Sequence, residues 1–546
     1  MKLFIRVIFL GWLVLVFSRL TFSQISSGGT PWSFSQKIDN PVFVAPSQQE
    51  LKFIDTISKD CSAMEFGRFL PVNISLKSEL WQTTKLPNGD YVYRLGVFSE
   101  GAKGVGAYFR DFHLPVGSTL FIYSPDHQQQ IGAFNHLNNS AGSFFATSYL
   151  TNDSIIIEYF EPKEVSGQGT FVLADILHAY RGVGETIEEK GFGGSGNCEV
   201  NVNCSEGYGK GNQRDAVLRL LIRNGSSGVW CTGSLINNTS EDRTPYVLTA
   251  DHCGKNSSEE DMLQWVFYFH YQSSGCDNPT IEPQLKSMSG CVEMASSSNA
   301  EILGSDFFLV KLIDEIPAEY NPYFIGWSRE GSVSNSGYSI HHPQGDIKKI
   351  SHYTTPLQST EYDNGIVNGF WQVTWSATEN GHGVTEGGSS GSPIFDSEGY
   401  LIGTLTGGQA SCSALTAPDY YGKLSVHWVS NGLLANQQLM PWLDPLETGA
   451  LKMNGIYLGV NEAELLRDDM FQIFPNPTSQ GVNIIFKEMN ETLQIQVIQV
   501  NGQVADEFRG SPGEPAYLDL SSYASGIYFI QVSSAKASQM KRLIKI

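Results

Sequence analysis

Gly387-Gly388-Ser389-Ser390-Gly391-Ser392-Pro393, followed at once by the apolar pair Ile394-Phe395, is a glycine-dense turn that leads into a β-type run. Glycine reaches backbone angles closed to other residues, so the turn can aim the amides of Gly388 and Ser390 at one point. Two donors so placed stabilise a tetrahedral oxyanion, which makes Ser390 a candidate nucleophile. A Gly/Ser run alone is more often a flexible loop. Pro393 and the strand behind it argue against a plain linker.

Upstream, Tyr246 to Cys253 (YVLTADHC) is a β-type run that ends in His252 beside a cysteine, and Cys231 sits in the preceding β run Val229 to Ile236. A staple between Cys231 and Cys253 would fix the histidine, and a general base must lie within hydrogen-bond reach of the proton it removes. Between these stretches, Asp306 opens the apolar run Phe307 to Leu312. An aspartate at such a boundary is commonly a turn residue; here it supplies a carboxylate to orient an imidazole. Asp251 is closer in sequence, but neighbours on an extended segment point apart, so Asp306 is the expected partner. Each residue alone has a bland reading. Together they predict Ser390 as nucleophile, His252 as base and Asp306 as orienting acid.

The chain has 546 residues, room for three or four units at roughly 150 residues each. With 41% hydrophobic, 17% charged and 12% aromatic residues it is a folded chain, neither disordered nor coiled-coil. Acidic residues outnumber basic ones 56 to 35, and the net charge of -21 disfavours nucleic acid and anionic membrane surfaces. Lys2 and Arg6 before the apolar run Val7 to Phe17 predict a signal peptide over 1–23, hence a secreted protein, extracellular or held on the cell surface. Residues 24–190 read as a β-rich domain, and the glycine-dense acidic stretch around 182–197 as an exposed linker. Residues 191–457 hold seven of the eight cysteines and dense turn signals, as in an antiparallel barrel or sandwich. A linker over 458–471 leads to a small β-sandwich over 472–546, so the expected fold is mostly β. The eleven histidines, His341-His342 included, form no spaced ligand set for zinc, and no metal or cofactor is expected.

The central region resembles the chymotrypsin-fold serine proteases, and within them the bacterial lysyl endopeptidases. The likeness runs through CTGSLINNT with LTADHCG, then SDFFLVKL, IHHP, GVTEGGSSGSP, GGQASCS, DYYGK and WLDP, across 191–449. It implies a double antiparallel β-barrel, the triad His252, Asp306 and Ser390 in that chain order, and an oxyanion hole at the Gly388 and Ser390 amides. It also implies disulfides Cys198–Cys412, Cys204–Cys276 and Cys231–Cys253, while Cys61 and Cys291 stay unassigned. The position that carries the pocket acid in trypsin is Val384. In lysyl endopeptidases the acid comes from the segment after the GG pair, here Gly407-Gly408, and Asp419 matches it. That implies a monomeric secreted serine endopeptidase cleaving polypeptides after basic residues, lysine before arginine. Thr406 replaces the family's histidine before the GG pair, which leaves the choice between lysine and arginine open. Ser389 replaces the aspartate that usually receives a new amino terminus. Lys190-Gly191 lies where the family begins its mature chain, so 24–190 reads as a propeptide removed by self-cleavage. The tail, from Phe474-Pro475-Asn476-Pro477 to Lys541-Arg542, resembles the sorting domains of type IX secretion cargo, with that machinery as partner. Two competing readings stand beside this one: a catalytically silent, protease-like binding protein, and a protease of other specificity such as glutamyl.

Overall fold

The computed structural model describes residues 26, 28–32, 38, 40–47, 64–140, 142–181, 192–283, 285–297, 304–363, 365–458, 471–474, 476, 478, 480–486, 493–499, 503–510, 516–534 and 538–545. The expected signal peptide, Cys61, Lys190, Gly191 and most of the 458–471 linker lie outside them. Residues Met1–Ile456 group as one compact unit and Tyr457–Ile546 as a second. Among the described residues no helix is long and apolar enough to cross a membrane.

Two barrel-like sheets form the centre of the first unit. In one, Val217–Asn224 pairs on one side with Ser227–Leu235 and on the other with Val266–Phe269. Ser227–Leu235 continues through Tyr246–Thr249 to Phe308–Leu312 and Cys291–Ser296. The ring closes where Cys291–Ser296 follows Lys286–Ser289, the partner of Val266–Phe269, across Gly290 at φ 88°. Most of these residues are apolar and most are buried, as strands facing a closed core require. The second sheet runs Lys349–Tyr353, Gly337–His341, Pro393–Asp396, Leu401–Gly408, Asp419–Lys423 and Phe370–Val373 in spatial order. An isolated bridge from His352 to Ser376 links its two ends. Its core holds Trp371, Trp375, Val384, Ile394, Leu405 and Tyr421.

The N-terminal part is β-rich. One of its sheets orders Val42–Val44, Tyr91–Ser99, Ser154–Glu161, Thr119–Tyr123 and Gln130–Phe134. The other runs Met64–Ser75, Thr170–Ala179, Gly104–His113, Phe145–Leu150 and is continuous with the first barrel, because Met64–Ser75 pairs with Ser227–Trp230. The stretch around 182–197 thus separates two parts of the sequence whose strands share one sheet.

The second unit has a three-stranded sheet (Phe471–Phe474, Gly481–Phe486, Ala516–Asp519) and a four-stranded one (Leu493–Gln499, Val504–Gly510, Gly526–Ser533, Ser538–Lys545). Val482, Ile484, Ile495, Val497, Ile530 and Val532 meet in one core, the alternation of a two-layer sandwich.

Candidate active site

The turn that carries Ser390 is strapped to the first barrel by one residue. Thr232 donates through its amide to the Ser390 carbonyl (2.8 Å) and through Oγ1 to the Gly388 carbonyl (2.9 Å), while Oγ1 accepts from the His342 amide. The neighbouring amides are used: Ser389 donates to the Glu386 carbonyl and Gly391 to that of Leu405. Among the described residues, the Gly388 and Ser390 amides donate to no protein acceptor. Gly391 has φ 80°, and a β-carbon there would stand 2.1 Å from Thr249 Oγ1 and 2.7 Å from the Ala250 nitrogen. Only glycine lets the turn come this close to the strand that leads into His252.

His252 sits on the one-turn helix Asp251–Gly254 rather than at the end of a strand. Cys253 is bonded to Cys231, and closing that loop of 22 residues is worth about 3 kcal/mol in a chain-entropy account. Asp306 grips the histidine twice: Oδ2 accepts from Nδ1 at 2.8 Å, and Oδ1 accepts from the His252 amide at 3.0 Å. Since a carboxylate only accepts, the ring proton belongs on Nδ1 and Nε2 keeps its lone pair. Nε2 is buried and makes no hydrogen bond, to Ser390 or to any other described residue. Burial works against the imidazolium, but the charge and hydrogen bond of Asp306 outweigh it and hold the His252 pKa above its ordinary range.

Asp306 is fully buried and left-handed, φ 59°. Its neighbour Ser305 is hydrogen-bonded to His427 Nδ1 (2.7 Å) and to Asn431, and His427 Nε2 meets Thr404 Oγ1 at 3.0 Å. This chain ties the acid-bearing turn of one barrel to the other. Burial lowers the His427 pKa to about 3, so the ring is a neutral spacer.

A second neutral chain shapes the nucleophile turn. Ser351 Oγ donates to the Val384 carbonyl, so it accepts from His341 Nε2, and His341 Nδ1 therefore accepts from Ser389 Oγ. Burial, with a smaller effect of Lys349, lowers the His341 pKa to about 3. Ser389 thus has an uncharged, buried partner.

Asp419 opens the strand Asp419–Lys423 and is 1% exposed, not a surface turn residue. Oδ2 accepts from Trp375 Nε1 and from Thr385 Oγ1, both at 2.7 Å, and Oδ1 accepts from the Ala410 amide at 3.1 Å. Among the described residues no cation pairs with it. Burial pushes its pKa up to about 6, against these hydrogen bonds. A β-carbon on Gly408 would fall 2.0 Å from Asp419 Oδ1, and one on Gly407 would lie 3.2 Å from the Tyr362 hydroxyl. Gly408 therefore lets the carboxylate pack directly against the neighbouring strand, where any side chain would collide with it. Val384 is buried in the core, and the buried Thr406 hydroxyl has no partner. Trp375 and Thr385 escaped the sequence reading; the aromatic run before GVTEGG was the signal available for Trp375.

Among the described residues the disulfides are Cys198–Cys412, Cys204–Cys276 and Cys231–Cys253. Cys291 is a buried free thiol whose pKa burial raises well above the ordinary value, so it is unreactive.

Residues 192–422 match the family model described as lysyl endopeptidase, C-terminal domain, and residues 472–546 match the secretion system C-terminal sorting domain. A lysyl endopeptidase of Pseudomonas aeruginosa is 29% identical over 247 residues, 43% of this chain and 51% of the relative. A secreted RxLR effector protein 73 of Plasmopara viticola is 29% identical over 280 residues, 47% of this chain and 62% of that one. The chain thus spans between half and two thirds of the length of these relatives. Among solved structures, the secreted serine protease VesC from Vibrio cholerae matches at 14% identity and a TM-score of 0.28, covering 61% of this chain and 68% of that one. The protease Anisep from Arthrobacter nicotinovorans matches at 16% identity and a TM-score of 0.27, covering 38% of this chain and 90% of its own. With its sorting tail, the chain is a secreted or cell-surface protein. Its centre is similar to the C-terminal domain of lysyl endopeptidases, and its end to the sorting domains of secreted cargo.

Proposed function

We propose that the protein is a serine endopeptidase that cleaves polypeptides on the carboxyl side of lysine. The observation that carries this reading is the His252–Asp306 pair at 2.8 Å, just after the strand end that Gly391 of the turn packs against, together with the idle Gly388 and Ser390 amides. Ser390 Oγ attacks the scissile carbonyl while His252 Nε2 takes its proton, and Asp306 holds the imidazole and stabilises the imidazolium. The two amides take the oxyanion, and one such donor is typically worth about 10²- to 10³-fold in turnover. Collapse of the tetrahedral adduct passes the proton from Nε2 to the leaving amine and leaves an acyl-Ser390. Water, deprotonated by the same nitrogen, then releases the acid.

Asp419 supports the basic specificity, since a buried carboxylate without a cation welcomes one from the substrate. A carboxylate offers about four acceptor positions. All are engaged, by Trp375 Nε1, Thr385 Oγ1 and the backbone amides of Ala410 and Thr385. The preference for lysine over arginine is supported by the likeness of residues 192–422 to the C-terminal domain of lysyl endopeptidases. The tail supports export by the type IX machinery, and 24–190 is the propeptide, cut from the mature chain after Lys190.

Hydrolysis of lysyl and glutamyl anilides across pH tests this reading. The lysyl substrate is preferred, and its kcat/KM rises with pH, because His252 must be neutral and Asp419 ionised. Both groups lose a proton as pH rises, His252 with a pKa above its ordinary value and Asp419 near 6. Below about pH 6 the slope therefore approaches two for the lysyl anilide and one for acylation by a small neutral reagent. A flat profile from about pH 5 to 9, or a glutamyl preference, contradicts the assignment.

A further inference from the structure

A closed barrel has no need of the strand Met64–Ser75, yet that strand joins the first barrel beside the site. It runs antiparallel to Ser227–Trp230, with Met64 opposite Trp230, Glu65 opposite Val229 and Arg68 opposite Ser227. Trp230 precedes Cys231, which is bonded to the neighbour of His252, and Thr232 straps the nucleophile turn. The Met64 side chain comes within 3.4–3.8 Å of where a β-carbon on Gly387 would sit, one residue before the idle Gly388 amide. In the proposed reaction the leaving amine takes its proton from His252 Nε2. The part of a polypeptide beyond the scissile bond therefore departs on the His252 side, past the disulfide, where the 227–230 edge lies. An extended chain at such an edge gains backbone hydrogen bonds by adding a strand.

We infer that residues 64–75 occupy, in the intact chain, the edge that takes the leaving-group side of a polypeptide substrate, so that the N-terminal part is a built-in competitive inhibitor; this rests on the endopeptidase reading above. The contact is substantial. Phe66 stacks on Trp230 with centroids 4.1 Å apart, Arg68 Nη1 donates to Ser226 and Ser227, and Arg223 pairs with Asp175 at 2.9 Å. Phe66, Tyr149 and Leu177 from one side share a core with Leu221, Trp230 and Tyr268 from the other. Cutting the 182–191 stretch leaves all of this in place, so the edge clears only when the N-terminal part dissociates or is degraded. The nucleophile turn, held by Ser389 and His341, needs no new amino terminus. A small substrate with nothing beyond its leaving group therefore reacts in the intact chain, whereas an extended peptide is shut out.

The test uses the full-length secreted chain carrying Lys190→Gln, with and without Phe66→Asp. Each is assayed with a lysyl anilide and with a quenched fluorescent peptide that extends four residues past its lysine. A tethered strand acts at an effective concentration near the millimolar range, so for a contact of about 10 μM dissociation constant the peptide is cleaved about 100-fold more slowly than in the released enzyme. Phe66→Asp is expected to raise peptide cleavage by about 10-fold or more and to change anilide hydrolysis by less than about 3-fold. Ser227→Ala, at the partly buried start of the 227–230 edge, removes one acceptor of Arg68 and leaves the buried Arg68–Glu65 pair in place; it gives a smaller change in the same direction should Phe66→Asp fail to fold. An unchanged ratio of peptide to anilide rates in both variants overturns the inference while the endopeptidase reading stands. Absence of anilide hydrolysis in every chain discards that reading and the inference with it.

Discussion

Asp306→Asn is expected to lower kcat for a lysyl anilide by about 10⁴-fold while the protein stays folded. The left-handed φ of 59° at this position suits asparagine as well as aspartate. An asparagine keeps an oxygen for the His252 amide, which Oδ1 now accepts at 3.0 Å. Its amide nitrogen would then face Nδ1 and donate to it, moving the ring proton to Nε2. A protonated Nε2 cannot accept from Ser390, so attack fails although every group is in place. With the Asp306 charge gone, the residual activity should also lose its acid limb at lower pH, because that charge is what holds the His252 pKa up. Circular dichroism and a thermal melt beside the kinetics separate this from unfolding, and a loss below about tenfold would remove Asp306 from the mechanism.

Asp419→Asn carries the second largest effect. Leaving a cation without its buried partner costs about 3–5 kcal/mol, which lowers kcat/KM for the lysyl anilide by roughly 10²- to 5 × 10³-fold. Inactivation of Ser390 by a small neutral sulfonyl fluoride should change by less than about 3-fold, since that reagent has no side chain to place in the pocket. The variant also turns one oxygen that accepts hydrogen bonds into a donor facing Trp375, Thr385 or Ala410. A stability loss of about 1–3 kcal/mol follows, read from a denaturant titration. Equal losses in lysyl hydrolysis and in sulfonylation would sink the pocket assignment.

The three residues of the proposed triad each stand in a local pattern that a sequence displays: a glycine turn before a strand, a histidine beside a cysteine, an aspartate opening an apolar run; of their contacts, the structure shows the one between His252 and Asp306. The reason for preferring Asp306 over Asp251 was only half right. Asp251 and His252 lie on a helical turn and not on a strand, and the choice is made instead by the left-handed turn at Asp306, which presents both carboxylate oxygens to His252. The surroundings of Asp419 were illegible for a physical reason. Trp375 and Thr385 reach it across 44 and 34 residues, and such pairings are set by how strands stack, which alternation along one strand does not encode. The same holds for the merger of the N-terminal sheet with the first barrel. A polar glycine-dense stretch shows where a chain is exposed, and it says nothing about which free edges later meet. His341 illustrates a third case: its hydrogen bond to Ser389 joins residues 48 positions apart, and neither residue alone suggests it.

The central claim, an acyl-enzyme on Ser390, is tested most directly by intact mass measurement of the secreted chain and its Ser390→Ala variant after brief mixing with a slowly deacylating lysyl ester, quenched in acid. The account predicts one added acyl group on the wild-type chain, carried by the peptide that spans Gly387 to Pro393, and none on the variant. An adduct on another residue, the same adduct on Ser390→Ala, or hydrolysis of the ester with no covalent intermediate would contradict it.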